Sequence, residues 1–253
     1  MSRCGHGRLY RWLRACVRLL TRCRRYRVIR CGNDRDAAPE PVVYVSRHHN
    51  LFGPWMTMLW FPDCFRVWVY HVFLEPQAAY RHYVDFTFTK RFGWNKHWAK
   101  VIAGPVSYAV AMLLRSAACI PVYRQSKQIG HTFRQTVQAL MDGVPVFIFP
   151  DVAYQDASAE TGALYKGFLH LEKYVYRATG QHVRFVPVYV SRRQRAFFIG
   201  DAVRFRDGEP FHTERDVVYQ KIRDGLNRLA VRAGELDMKL ARHDGCHGPT
   251  QEL

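Results

Sequence analysis

The first thirty residues carry no acidic side chain, which makes the start of the chain a one-signed segment. Long hydrophobic runs are also missing. The longest apolar stretches are about a dozen residues, short of the roughly 18–20 that span a bilayer. Val101 to Leu114 comes nearest, but Gly104-Pro105 interrupts it and Arg115 ends it. It therefore reads as a buried or interfacial helix. Arginine is interleaved with the N-terminal apolar residues, so no secretory signal core is expected. The seven cysteines are scattered and show no C-x-x-C spacing. That pattern argues against a disulfide framework or a zinc site and fits a reducing cytoplasm. The only metal-like cluster, His243-Asp-Gly-Cys-His247, falls in residues 241–253, a stretch that reads as a flexible tail. No metal or organic cofactor is expected. There is no internal repeat and no low-complexity tract.

What is present is ample core material and a large positive charge. Of 253 residues, 48% are hydrophobic and 14% aromatic, enough for one packed α/β domain. The formal net charge is +17 and ten arginines lie within residues 1–30, so the charge is concentrated at one end. Such a balance calls for an anionic partner. Residues 8–26 place Leu9, Trp12, Leu13, Cys16, Leu20 and Cys23 on one helical stripe, with arginine on the rest. A basic amphipathic helix with Trp and Leu on its apolar face suits the plane of an anionic membrane. Residues 1–35 therefore read as a membrane-associating segment, residues 36–240 as the α/β domain. Tyr80 to Trp98 mixes aromatic and basic residues, which fits membrane-interface anchoring. A nucleic-acid-binding arm is the competing reading of the charge, but no recognition motif accompanies it and no nucleic-acid partner is expected.

Strands are read at Val42–Val45, Phe65–His71, Cys119–Arg124, Val144–Asp151 and Phe185–Val190, with a hairpin-like return at Ala196–Asp201. Helices are read at Ser126–Gly143, capped by Ser126, and at Lys166–Thr179, stopped by Gly180. A last helix starts at a capping-box-like Thr213-Glu-Arg-Asp216 and runs to Gly234. Alternation of strands and helices predicts a mostly parallel central sheet flanked by helices. The first strand ends at Ser46 and delivers His48 and His49 to the turn before an apolar helix. Imidazole at such a strand end suits a general base, because it titrates near neutrality.

Four blocks in order, Ser46-Arg-His-His-Asn-Leu-Phe-Gly-Pro54, Ile120-Pro-Val-Tyr-Arg124, Phe149-Pro-Asp151 and Val186-Pro-Val188, span most of the chain. Together they resemble the glycerophosphate and lysophosphatidate acyltransferases, whose blocks are N-H-x-S-x-x-D-P, I-P-V-x-R, F-P-E-G-T-R and V-P-V. The resemblance implies transfer of a fatty acyl group from an acyl-CoA or acyl carrier protein thioester to a lysophospholipid hydroxyl. The protein would act at the cytoplasmic face of the membrane, as a peripheral or monotopic protein. It makes His48 the base and Arg124 the ligand of the acceptor phosphate, with His49, Asn50 and Pro150 lining the site. Lys166 opens a helix whose start could hold an anion. Two departures stand out. Gly53 occupies the place of the family's aspartate, and Asp151-Val-Ala-Tyr154 replaces Glu-Gly-Thr-Arg. Asp151 is the leading candidate to stand in for the missing carboxylate, ahead of Asp63, Asp85 and His49. The same departures support an alternative, a catalytically weak or inactive relative that binds phospholipid.

Overall fold

A computed structural model describes residues 5–21, 25–32, 40–123, 128–153, 155–156 and 158–237. In chain order its elements are α1 (Arg8–Leu20), β1 (Arg27–Arg30), β2 (Val42–Ser46), α2 (Phe52–Trp60), β3 (Arg66–Tyr70), α3 (Pro76–His82), α4 (Lys96–Ser116) and β4 (Ile120–Val122). Then follow α5 (Ile129–Met141), β5 (Val146–Ile148), α6 (Leu171–Thr179), β6 (Arg184–Ser191), β7 (Ala196–Ile199) and α7 (Phe211–Arg232). The seven strands form a mostly parallel sheet with helices flanking it, an α/β fold as the alternation predicts.

The chain divides into two compact units whose segments interleave along the sequence. One comprises Met1–Arg22, Pro62–Ile148 and Lys173–Gln181. In it β3 pairs in parallel with both β4 and β5, and the helices α1, α3, α4 and α5 belong to it. The other comprises Cys23–Phe61, Phe149–Glu172 and His182–Leu253, with strand order β1-β7-β6-β2. Val42 to Ser46 register with Arg184 to Val188 in parallel, and β6 returns antiparallel through β7, the hairpin read from the sequence. All eight residues of β6 are buried, as a central strand covered on both faces requires. Its internal Pro187 is tolerated although it offers the ladder no donor.

Several boundaries differ from expectation, each for a local reason. Gly104-Pro105 does not interrupt α4. The helix runs through it for 21 residues, held by Ala99, Ala103, Ser107 and Ala111, small residues buried at every fourth position. By length and composition α4 is therefore long and apolar enough to cross a membrane, which the broken run had argued against. The Thr213 box does not start α7. Pro210 precedes the helix instead, and Glu214 is drawn to Arg206, whose guanidinium donates to both its oxygens at 2.7–3.1 Å. Lys166 opens a short 3₁₀ turn, Lys166–His170, before α6 begins. β1 lies in a stretch that the arginine pattern had hidden. Cys64 is disulfide-bonded, contrary to the all-thiol reading, whereas Cys16, Cys31 and Cys119 are free. Burial pushes the Cys119 thiol up to about 12, so it is inert. Ser126, Tyr154 and residues 241–253 lie outside the described residues.

Candidate functional site: the strand-end turn at His48

β2 alternates as a strand must, and the alternation continues past its end. Val43, Val45 and Arg47 share one face, and all three are buried, Arg47 to 2% exposure. A guanidinium at that depth requires compensation. Its Nε donates to Asp151 Oδ1 at 3.4 Å, Nη1 donates to the Ser158 carbonyl at 2.7 Å, and Nη2 lies 3.6 Å from Asp156 Oδ2. Ser158 in turn holds Asp156, through its N–H and its hydroxyl, both at 2.8 Å, which keeps that carboxyl below its ordinary range. Arg47 thus threads the loop that follows Phe149-Pro-Asp151. Nothing in the four-block comparison singles Arg47 out, although strand alternation marks it.

The turn after Arg47 is wound the unusual way. His49, Asn50 and Leu51 have φ of 43°, 51° and 72°, three consecutive left-handed non-glycine residues. Each costs on the order of 1 kcal/mol outside glycine, least for Asn. Hydrogen bonds hold the turn. Phe52 N–H donates to the His49 carbonyl and Gly53 N–H to the His48 carbonyl, both at 3.1 Å. The His48 N–H donates to Asp151 Oδ2 at 2.6 Å. The chain then doubles back so closely that a Cβ on Gly53 would lie 2.0 Å from the Arg47 carbonyl oxygen. The site where the resemblance expects an aspartate has no room for any side chain.

His48 is half-buried, with the Phe149 ring edge-on at 6.0 Å. Its Nδ1 accepts the Leu51 N–H at 3.1 Å. A ring nitrogen that accepts carries no proton, so the neutral imidazole held here has its proton on Nε2. A base flanked by an aspartate is the opposite tautomer, with Nδ1–H donated to the carboxylate and Nε2 bare. Asp151 meets His48 through the main chain, and its other oxygen faces Arg47. Burial pushes the Asp151 carboxyl up, against the pull of the His48 N–H and the Arg47 charge.

His49 is buried, packed edge-on against Tyr189 at 5.4 Å, with Nε2 lacking a hydrogen-bond partner among the described residues. Burial, and then the Arg47 charge, lower its pKa from 6.5 to about 4. The folded chain therefore binds fewer protons than the unfolded chain between those values. Stability from this group is complete above pH 6.5 and is lost as pH falls towards 4, by about 3 kcal/mol in all. Urea midpoints should drop between pH 7 and pH 4.5, and His49→Phe should flatten that slope. An unchanged slope in the variant would assign the acid sensitivity elsewhere.

The remaining candidates are dispersed. Asn50 is exposed on the turn itself. Pro150 is buried and its carbonyl accepts the Tyr165 N–H at 2.7 Å, closing the base of the loop. The Lys166 ammonium is engaged by Asp216 Oδ1 at 2.9 Å and sits 4.9 Å over the Tyr219 ring. Arg124 lies outside the described residues. Asp85 is exposed on the π-helix Tyr83–Arg91, and Asp63 is half-buried after α2. Among the described residues no group of three or more His, Cys, Asp or Glu could hold a metal. No family model matches this chain, and neither does any curated protein.

Proposed function

We propose that this protein is a membrane-surface acyltransferase of the lysophospholipid type, with His48 as its base and an acyl-CoA or acyl carrier protein thioester as donor. The observation that carries the reading is the meeting of two distant blocks, in which the His48 N–H lies 2.6 Å from the Asp151 carboxylate across 103 positions of sequence. In the reaction, the imidazole takes the acceptor hydroxyl's proton, the alkoxide attacks the thioester carbonyl, and the thiolate leaves with that proton. To act through Nε2, His48 must first move its own proton to Nδ1 and release the Leu51 N–H. In the serine-protease triad a wrong-tautomer histidine slows turnover by about 10⁴-fold, so turnover here should be slow.

The same hydrogen bond favours a second reading, a phospholipid-binding relative without turnover. One measurement separates the two: acyl transfer from labelled acyl-CoA and acyl carrier protein to lysophosphatidate in detergent micelles, with wild type and His48→Ala. The first reading expects slow transfer that disappears with His48. No transfer from either donor, across several lysophospholipids and glycerol 3-phosphate, would leave only the second. Transfer that survives His48→Ala would displace His48 as the base.

A further inference from the structure

We infer that α4 lies flat in the surface of an anionic lipid bilayer, with Trp98, Val101, Pro105, Tyr108 and Met112 as its lipid-facing stripe. This deepens the membrane half of the reading above and does not depend on acyl transfer. The five residues recur at intervals of three and four, which sets them within about 80° of one another around the helix. All are exposed, Trp98 at 67%, Val101 at 66% and Tyr108 at 60%. The opposite face carries Ala99, Ala103, Ser107 and Ala111, and its first half packs against Val84 and Phe88 of the π-helix. An apolar stripe opposite a packed small-residue face needs a partner of its own.

Charge and aromatic chemistry identify that partner. From Phe86 through Met141 the chain has no carboxylate, and the first part of this stretch carries Lys90, Arg91, Lys96, Lys100 and Arg115. α1 belongs to the same unit and is fastened to the end of α4. The Gly7 N–H donates to the Ser116 carbonyl at 2.6 Å, and the Tyr10 N–H donates to the Ser116 hydroxyl at 3.0 Å. Tyr10 of α1 is buried and Leu13, Arg14, Cys16, Val17 and Arg18 are half-buried, whereas Leu9, Trp12, Leu19 and Leu20 are exposed beside Arg8 and Arg11. Phe86, Phe92 and Trp94 are exposed where the chain enters α4. Trp94 and Trp98 also wall a shallow groove of about 370 Å³ with Asn95 and Ile102. Exposed Trp and Tyr bordered by basic residues match the headgroup boundary of an anionic leaflet.

A crossing orientation is disfavoured by what is packed on α4. α3 and the π-helix lie against it and carry Arg81, Asp85, Lys90 and Arg91. Drawing those into hydrocarbon costs about 3 kcal/mol for each charge, whereas the flat orientation leaves them in water.

The test uses the full chain and vesicles of phosphatidylcholine with or without phosphatidylglycerol. Sedimentation should show binding that requires the anionic lipid, and a Trp98→Ser, Val101→Ser, Tyr108→Ser variant should bind about 30-fold more weakly. These side chains are exposed, so circular dichroism of the variant should match wild type. Lipids brominated near the headgroup should quench wild-type fluorescence, and less of it in Trp98→Phe. Four results would each overturn the proposal: equal binding by the triple variant, quenching confined to lipids brominated at the chain ends, a lipid-free dimer that the triple variant dissolves, or RNA displacing the vesicles. Acyl transfer in micelles by the same variants reports separately on the enzyme reading.

Discussion

Gly53→Asp should unfold the His48 turn rather than restore a catalytic carboxylate. The substitution is the natural one to try, because it rebuilds the block that the chain resembles. Its Cβ, however, would stand 2.0 Å from the Arg47 carbonyl oxygen and 3.2 Å from the carbon it belongs to. Both neighbours are backbone, so no side-chain rotation relieves the overlap. Backbone overpacking of this degree costs about 3 kcal/mol or more. Gly53→Ala should lose nearly as much stability by urea denaturation, which separates the Cβ from the charge. Acyl transfer should fall with both. A Gly53→Asp protein with an unchanged midpoint and faster transfer would show that the turn is built otherwise and that the carboxylate can be regained.

Asp151→Ala should be the most damaging substitution at the site after those. It removes the acceptor of the His48 N–H and strands Arg47, a guanidinium at 2% exposure. Breaking a buried pair by deleting one partner costs about 3–5 kcal/mol. Asp156 offsets part of this, since it lies 3.6 Å from Nη2. Asp151→Asn keeps an acceptor for the N–H and should lose less. The double substitution Arg47→Met, Asp151→Leu should recover much of the stability, because it removes both charges together. A cycle through the singles and the double should give a coupling of about 2 kcal/mol or more. Additive losses would mean that Arg47 and Asp151 do not support one another. In acyl transfer, both Asp151 variants should lose turnover in step with stability. A turnover loss in Asp151→Asn with full stability would give the carboxylate a direct part in the chemistry.

Much of this architecture is written in local pattern. The β-branched runs at Val146 and Arg184 to Ser191 are fully buried strands and that at Val42 nearly so, and the glycines at 143 and 180 end helices with φ near 70°. Composition misleads where a face matters more than an average. α4 is split by Gly104-Pro105 in a linear reading, yet its buried stripe of Ala and Ser runs straight through. The sequence reading pairs His48 with Asp151, and the His48 N–H does meet that carboxylate at 2.6 Å, but the form of the bond was not legible. No sequence pattern tells that Asp151 meets a main-chain N–H, or that the His48 ring turns back to the Leu51 N–H. Those depend on three left-handed residues in a row; His and Asn tolerate that conformation better than most residues, but Leu51 does not announce it. Arg47 was within reach, since the alternation of Val43 and Val45 continues to it.

The contact between Gly53 and the Arg47 carbonyl bears on which sequences this turn accepts as well as on stability. An aspartate at position 53 would need a wider turn, and residues 49–51 would have to leave their left-handed conformation to provide it. A single substitution at position 53 therefore meets the backbone before it can offer a carboxylate. Position 53 and residues 49–51 form one unit of sequence choice, which changes together or not at all.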